Sequence, residues 1–205
     1  MKSKLFALLF GVALVASVCR AGDVHTLERA IRELPAQFMA DIPLTQRTAL
    51  LESLRRDPSD ERLDLAHGYL HFYSDGGEKG AISSTSMLYM RQFQRTAGGF
   101  VVLTHMPKPF ADGSTPQANQ TFVWERRNGK WTDITAETFL HGMDLTNHFR
   151  PRRASAVVEV APYIRFKRRD GRGEAWKFGS RTADLHWDGH TFQKRKPKHP
   201  TLSEE

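Results

Sequence analysis

The apolar positions of this chain change their period twice. Leu5 to Val18 is an almost unbroken apolar run, interrupted by Ser17. It is shorter than the roughly 20 residues that cross a bilayer as a helix. Lys2 and Lys4 precede it, and Cys19-Arg20-Ala21 places small residues at −3 and −1 of a cleavage point after Ala21. Charge, length and exit together predict a secretory signal peptide over residues 1–21, removed from a periplasmic or extracellular protein. The spacing then becomes helical. Val24, Leu27, Ile31 and Leu34 recur at threes and fours, bounded by Pro35. Leu44, Leu50, Leu51 and Leu54 form a second stripe that Asp57-Pro58 should stop, with Asp41 or Thr45 as its cap. Each helix has one apolar stripe and must lie on something.

From Arg62 onward the period shortens to two. Short runs of β-branched and aromatic residues alternate with glycine turns. Leu63 to Ser74 reads as a hairpin around Ala66-His67-Gly68. Ser86 to Gln94 and Phe100 to His105 follow, joined by Thr96-Ala97-Gly98-Gly99. Thr121 to Arg126 and Trp131 to Thr135 flank Asn128-Gly129, which pairs Trp131 with Arg126 and predicts a cation–π contact. Val157 to Lys167 is the longest strand, with Val158, Val160, Ile164 and Phe166 on a dry face and Glu159, Tyr163, Arg165 and Lys167 on a wet one. Ala175 to Phe178, Asp184 to Trp187 and Thr191 to Arg195 complete the series. Asp188-Gly189 is a two-residue turn in this reading, pairing Trp187 with His190 and His186 with Thr191. Connections this short enforce antiparallel neighbours. Phe100-Val101-Val102-Leu103, apolar on both faces, belongs at the centre of the sheet.

The expected fold class is therefore α+β: an N-terminal helix pair packed on a largely antiparallel β-meander. Residues 22–196 form a single domain, or two halves divided near 136–153. Within that divide, Ala136 to Phe139 reads as a helical turn and Asp144-Leu145-Thr146 as the start of another. Met106 to Asn119 and Asp75 to Ser84 are the long loops, and Pro197 to Glu205 reads as a disordered tail.

Charge adds one asymmetry. The formal net charge is +7 over 205 residues. Residues 22–147 hold 13 Lys/Arg against 16 Asp/Glu, whereas residues 148–200 hold 14 against 5. The basic character sits in the last third, and such asymmetry points to an anionic partner. Cys19 is the single cysteine, so a chain cleaved after Ala21 has no disulfide, cysteine nucleophile or thiolate metal site.

Chemistry-bearing motifs are scarce. The chain contains no G-x-S-x-G, H-E-x-x-H or P-loop sequence. His67 with His71 and His186 with His190 have helical metal spacing in strand and turn context. Along a straight strand such a pair stands roughly 13 Å apart, too far to share a metal. Neither a metal nor another cofactor is therefore expected, and no catalytic residue is singled out. Trp124, Trp131, Trp176 and Trp187 suit pleated, half-buried packing. The sharpest constellation is basic: Tyr163, Arg165, Lys167 and Arg169 alternate on one strand face, with Lys177 joining from the next strand. Lys194-Arg195-Lys196 and Lys198 follow, and Arg150, Arg152 and Arg153 lie upstream. These residues are the expected ligand-binding set, for an anionic polysaccharide, a lipopolysaccharide or a protein partner. Nucleic acid ranks below an envelope polymer, because an exported protein seldom meets it.

Three resemblances accompany these residues. Leu185 to Phe192 resembles the closing W-D-G-x-x-F hairpin of secreted bacterial domains of unknown function, and Gly129 to Thr135 resembles their G-K-W-x-D-V-T hairpin. Ala16-Ser17-Val18-Cys19 loosely resembles a lipoprotein lipobox, with bulky Val18 where that family has a small residue; a lipid anchor on Cys19 is the alternative to cleavage after Ala21. A helix pair followed by antiparallel meanders is similar to the fold of β-lactamase inhibitor proteins, which implies architecture and no function. The expected function is an exported, non-enzymatic binding module. The alternative is an enzyme or small-ligand carrier with a pocket between helices and sheet.

Overall fold

The computed structural model describes residues 24–56, 63–74, 86–107, 120–139, 143–144, 147–167 and 174–201. Helix α1 (Val24–Glu33) buries Leu27, Ala30, Ile31 and, just past its end, Leu34. A 3-10 turn (Ala36–Phe38) leads into helix α2 (Leu44–Arg56). Leu51 is buried as the stripe requires, but Leu44 is 55% exposed. Arg47 is buried instead. One of its guanidinium nitrogens donates to Ile31 O at 2.9 Å and to Leu34 O at 2.5 Å. A helix ends with carbonyls that lack intrahelical partners, and Arg47 supplies donors to that end of α1. Burial pushes its pKa down from the ordinary guanidinium value. At the other end of α1, the Gln92 side-chain oxygen accepts the Leu27 N–H at 3.0 Å.

The first sheet has six antiparallel strands whose spatial order follows the chain: β1 (Leu63–Asp64), β2 (Tyr69–Ser74), β3 (Ser86–Gln94), β4 (Phe100–Met106), β5 (Gln120–Arg127) and β6 (Lys130–Asp133). Asn128 and Gly129 both take positive φ, and Arg126 pairs with Trp131 as the turn dictates. The side chains of that pair meet on Glu33 of α1 rather than on each other. Trp131 Nε1 donates to Glu33 Oε2 at 2.9 Å and Arg126 Nε at 3.3 Å. The carboxylate competes successfully for both donors because α1 carries it over the β5–β6 turn.

Strand β4 explains the layering. Val102 and Met106 join Leu27, Ile31, Leu34, Leu51, Leu88, Met90 and Trp124 in a core beneath the helices. Val101 and Leu103 join Phe93, Val123, Ile134, Phe149, Val158, Leu185 and Phe192 in a second core on the other face. That second face is covered by a second sheet. After the short helix α3 (Thr135–Thr138) come β7 (His148–Pro151), β8 (Val157–Ala161), β9 (Tyr163–Lys167), β10 (Glu174–Phe178), β11 (Ala183–Trp187) and β12 (Phe192–Arg195). Four of these form a sheet in the order β12-β11-β8-β7, and β9 pairs with β10 alone. The chain is thus α+β, with helices, six-stranded sheet and four-stranded sheet in three layers. The six-stranded sheet ends at Asp133, the four-stranded sheet begins with β7 at His148, and the two share the second core.

The expected single strand from Val157 to Lys167 breaks at Pro162. Proline has no N–H for the ladder, and Pro162 O instead accepts from Gly179 N at 2.7 Å. The break also changes which face is covered. Glu159, expected on a wet face, is 0% exposed, and Ile164, expected on the dry one, is 39% exposed. The hairpin at Asp188 differs as well. Trp187 pairs with Phe192 and His186 with Gln193, so the loop spans residues 188–191. The reason is the Asp188 carboxylate: Oδ1 accepts the N–H groups of His190 and Thr191, each at 2.8 Å, and folds a wider turn. The wider loop lets Trp187 and Phe192 both pack on Phe93.

Residues 75–85 and 108–119, where the two long loops are expected, and residues 145–146 lie outside the described residues. The segment from Pro197, expected to be disordered, is tied to the fold at Pro200, whose carbonyl accepts Arg181 N–H at 2.7 Å. Residues 202–205 lie outside the described residues.

Gly189 stitches the ends of the two sheets together. Its φ is +100°, and its carbonyl accepts Thr96 N–H at 3.2 Å. A Cβ at this position would overlap the Thr96 hydroxyl. Gly189→Ala is expected to lower unfolding free energy by about 1–3 kcal/mol, read as a shift of the urea midpoint. Gly98→Ala, with positive φ but nothing within 4 Å of its Cβ, should lie at the bottom of that range.

Candidate functional site

The structure separates the basic residues into two kinds. Arg152 and Arg181 each bond the buried Glu159 carboxylate at 2.8 Å, and Arg181 also bonds Asp184 at 2.5 Å. Arg153 bonds Asp64 at 2.7 Å, as does His67. Burial raises the Asp64 pKa, but hydrogen bonds from Arg153 and then His67 outweigh it and hold the carboxyl below its usual range. Lys194, Arg195, Lys196 and Lys198, by contrast, are exposed, and none makes an ion pair among the described residues. They lie on β12, at the edge of the four-stranded sheet, and on the segment that follows it.

The remaining members of the expected binding set belong to β9, to β10 and to the segment between them. Tyr163 is half-buried, its ring 5.4 Å from Phe178 and 6.0 Å from His148. Arg165 and Lys167 hold alternate positions on β9, opposite Trp176 and Glu174. Lys177 pairs with Ile164, so the register sets it on the alternate positions from Arg165 rather than beside it. Arg169 lies outside the described residues.

A buried histidine chain joins the two sheets. His105 on β4 and His148 on β7 are both 0% exposed, with His105 Nε2 3.0 Å from His148 Nδ1. The Phe149 N–H also points at His105 Nε2, at 3.2 Å. Nε2 must therefore be an acceptor, so His105 carries its proton on Nδ1 and donates it to Thr121 Oγ1 at 2.8 Å. His148 then carries its proton on Nδ1. Its Nε2 has no hydrogen-bond partner among the described residues. Phe178 stacks on the His148 ring at 3.8 Å, while Tyr89 lies between it and His71. Burial drives the His105 pKa down to about 3. Burial, then His105, Arg150 and His71, push His148 well below the ordinary imidazole value. Both rings are neutral near neutral pH. Among the described residues no three His, Cys, Asp or Glu side chains are arranged to hold a metal.

The third feature is a cleft of about 590 Å³ between the ends of the two sheets. Arg91 and Phe93 of β3 form part of its lining with Gly68, Gln92, Gln94 and Arg95. The opposite wall comes from Ala154-Ser155-Ala156 and Trp187-Asp188-Gly189. Arg91 is 7% exposed, its guanidinium carbon 5.9 Å from the Phe93 ring centre. Arg95 is paired with Glu125 at 2.6 Å. The Trp187 ring is held by its N–H, which donates to Gln94 O at 2.6 Å. Thr191 N–H lowers the Asp188 pKa against a partial desolvation. The His190 N–H, the Gln193 amide and the Thr191 hydroxyl add to that, holding it to about 2. This cleft lies between the two sheets rather than between helices and sheet, where a pocket is the alternative expectation.

The chain matches no protein-family model, no curated protein and no solved structure. Among the described residues no helix is long and apolar enough to cross a membrane.

Arg91, His105 and His148 were not singled out from the sequence. The available signal was a polar residue within an apolar run: His105 ends Phe100 to His105, a strand with two dry faces, so its imidazole had to be buried. Arg91 interrupts Met87 to Phe93 in the same way.

The histidine chain makes stability pH-dependent. Both folded pKa values lie below the unfolded value of about 6.5. Above that value neither state binds the protons. Below it the unfolded chain takes up protons that the folded one refuses, so stability falls with pH until the folded pKa is reached. The expected loss is about 1.4 kcal/mol per pH unit for each histidine below about pH 6, measured by urea unfolding between pH 7.5 and 5. His148→Phe, which keeps a ring against Phe178, should remove about one proton's worth of that slope.

Proposed function

We propose that the chain is an exported, non-enzymatic binding module, periplasmic or extracellular once residues 1–21 are removed. It docks an acidic polysaccharide on the cations of β12 and the segment beyond it. The observation that carries this reading is the contrast among the basic residues. Arg152, Arg153 and Arg181 are matched by carboxylates, whereas Lys194, Arg195, Lys196 and Lys198 stand exposed without an ion pair among the described residues. Four solvated cations along one edge attract a polyanion over about 8–10 Å at physiological salt. Lysines also keep an open strand edge from pairing with another chain.

The combined variant K194Q/R195Q/K196Q/K198Q tests the reading on a sulfated polysaccharide resin. Wild-type protein should bind at low salt and elute over a salt gradient. The variant should elute at markedly lower salt, with its urea midpoint unchanged because these side chains are exposed. Elution of both proteins at the same salt would reject the assignment.

A further inference from the structure

The cleft between the sheets lies at the opposite end of β11 and β12 from the exposed cations, since Trp187 and Phe192 are at one end of that pair and Asp184 and Arg195 at the other. It is therefore a separate site. We propose that it takes a short uncharged saccharide, with the C–H side of a sugar ring against Phe100 and Trp187 and its hydroxyls toward Gln94 and Ser155.

The cleft is built in advance of any ligand. Its wall segments are tied together by hydrogen bonds: Gln92 N–H to Gly68 O at 2.8 Å, Trp187 N–H to Ala156 O at 3.0 Å and Thr96 N–H to Gly189 O at 3.2 Å. The Trp187 indole N–H adds its bond to Gln94 O at 2.6 Å. A site already formed loses little binding energy to the ordering of its walls. Its volume, about 590 Å³, falls within the ~300–1,000 Å³ of small-molecule sites.

The lining combines two kinds of surface. Phe93, Phe100 and Trp187 supply apolar area for the C–H side of a sugar ring. Gln94 and Thr96 stand exposed on one wall. Their amide and hydroxyl groups each offer a donor and an acceptor, as a sugar hydroxyl does. Ser155 lines the opposite wall, and its hydroxyl oxygen is out of solvent's reach with no hydrogen-bond partner among the described residues. Rotation about its one side-chain bond turns that oxygen to a ligand without breaking an existing bond. An unpaired hydroxyl is costly to keep, and a hydroxyl-bearing ligand removes that cost.

Charge then decides against an ionic ligand. Arg95 is matched by Glu125 and His67 by Asp64, and Arg91 is engaged within the protein. The cations of the lining are thus already committed. Asp188 is held ionised, and its fixed charge repels an anion. Its oxygens already accept the His190 and Thr191 N–H groups and the Gln193 amide, which leaves little capacity for an ammonium group. A ligand without charge meets neither cost.

The test uses neutral disaccharides as probes: lactose, maltose, cellobiose and N,N′-diacetylchitobiose. Chitobiose, which carries ammonium groups, and an unsulfated hyaluronan disaccharide, which carries a carboxylate, are the charged counterparts. Binding is followed by ligand-observed NMR and by tryptophan fluorescence. At least one neutral probe should bind wild-type protein saturably with a Kd near or below about 1 mM, and both charged counterparts at least tenfold more weakly. Neutral probes give the β12 cations nothing to attract, so this proposal and the polyanion reading stand or fail separately. Ala156 is exposed at the cleft wall, so Ala156→Phe fills the cleft without touching either core. It should weaken binding at least tenfold while leaving the urea midpoint within error. Ser155→Ala should weaken binding about threefold or more, with the midpoint unchanged or raised. If Ala156→Phe does not fold, Ser155→Ala decides alone. The proposal is overturned by any one of these results: no saturable binding of any neutral probe up to about 10 mM, equal or tighter binding of a charged counterpart, or undiminished binding by Ala156→Phe or by Ser155→Ala.

Discussion

Strand β4 is the constraint on which the rest of this structure depends. A strand that is apolar on both faces cannot lie at a surface, so it needs a covering layer above and below. Val102 and Met106 face the helices; Val101 and Leu103 face the second sheet. At about 25 cal/mol per Å² of buried apolar area, neither layer alone satisfies the strand. The helix pair covers one side because its stripes are narrow and its residues precede the meander. The four-stranded sheet covers the other with Phe149, Val158, Leu185 and Phe192.

Apolar layers slide easily against one another, and polar joints fix how these meet. Gln92 and Arg47 satisfy backbone groups at the two ends of α1, and Glu33 receives the Trp131 and Arg126 donors. The His105–His148 bond does the same between the two sheets. The Arg47 and His105–His148 bonds occupy buried polar groups, and an unsatisfied buried group is a costlier defect than a missing apolar contact. The buried Glu159 belongs to this set, because two arginines offset the desolvation of its charge. The cleft opens beside two more such joints, from Thr96 N–H to Gly189 O and from Trp187 Nε1–H to Gln94 O.

Most of the fold was legible in the chain. Helical spacing located α1 and α2, and alternation with glycine turns located the strands of both sheets within a residue or two, except β7, which lies where the chain reads as the start of a helix ended by Pro151. What misled was local in each case. Leu44 fits the helical stripe by spacing, but the carbonyl end of α1 called for donors, so Arg47 is turned inward and Leu44 outward. Asp188-Gly189 looks like a two-residue turn until the Asp188 side chain competes for backbone donors. Alternation through Pro162 is preserved in sequence, yet the covering layers change there, so the residues of one face pass from buried to exposed. The binding residues were less legible for a related reason. A run of basic residues shows charge but not pairing: Arg152, Arg153 and Arg181 are matched by carboxylates, and those of Asp64 for Arg153 and Glu159 for Arg181 come from other strands. The cleft is invisible in the chain because its walls come from segments as far apart as Ala66 and Gly189.

The order of the layers along the chain has a consequence for how the protein is made. Residues up to Asp133 contain both helices and all six strands of the first sheet, so one face can be covered as soon as they emerge. The other face, with Phe93, Val101, Leu103 and Val123, waits for partners that begin with Ile134 and end with Phe192. At 5–20 residues per second, the roughly 60 residues between Asp133 and Phe192 take about 3–12 s to synthesise. For that interval the nascent chain displays a flat apolar sheet. A helper that shields apolar surface, or a delay in folding the first sheet, would protect it until the second sheet arrives.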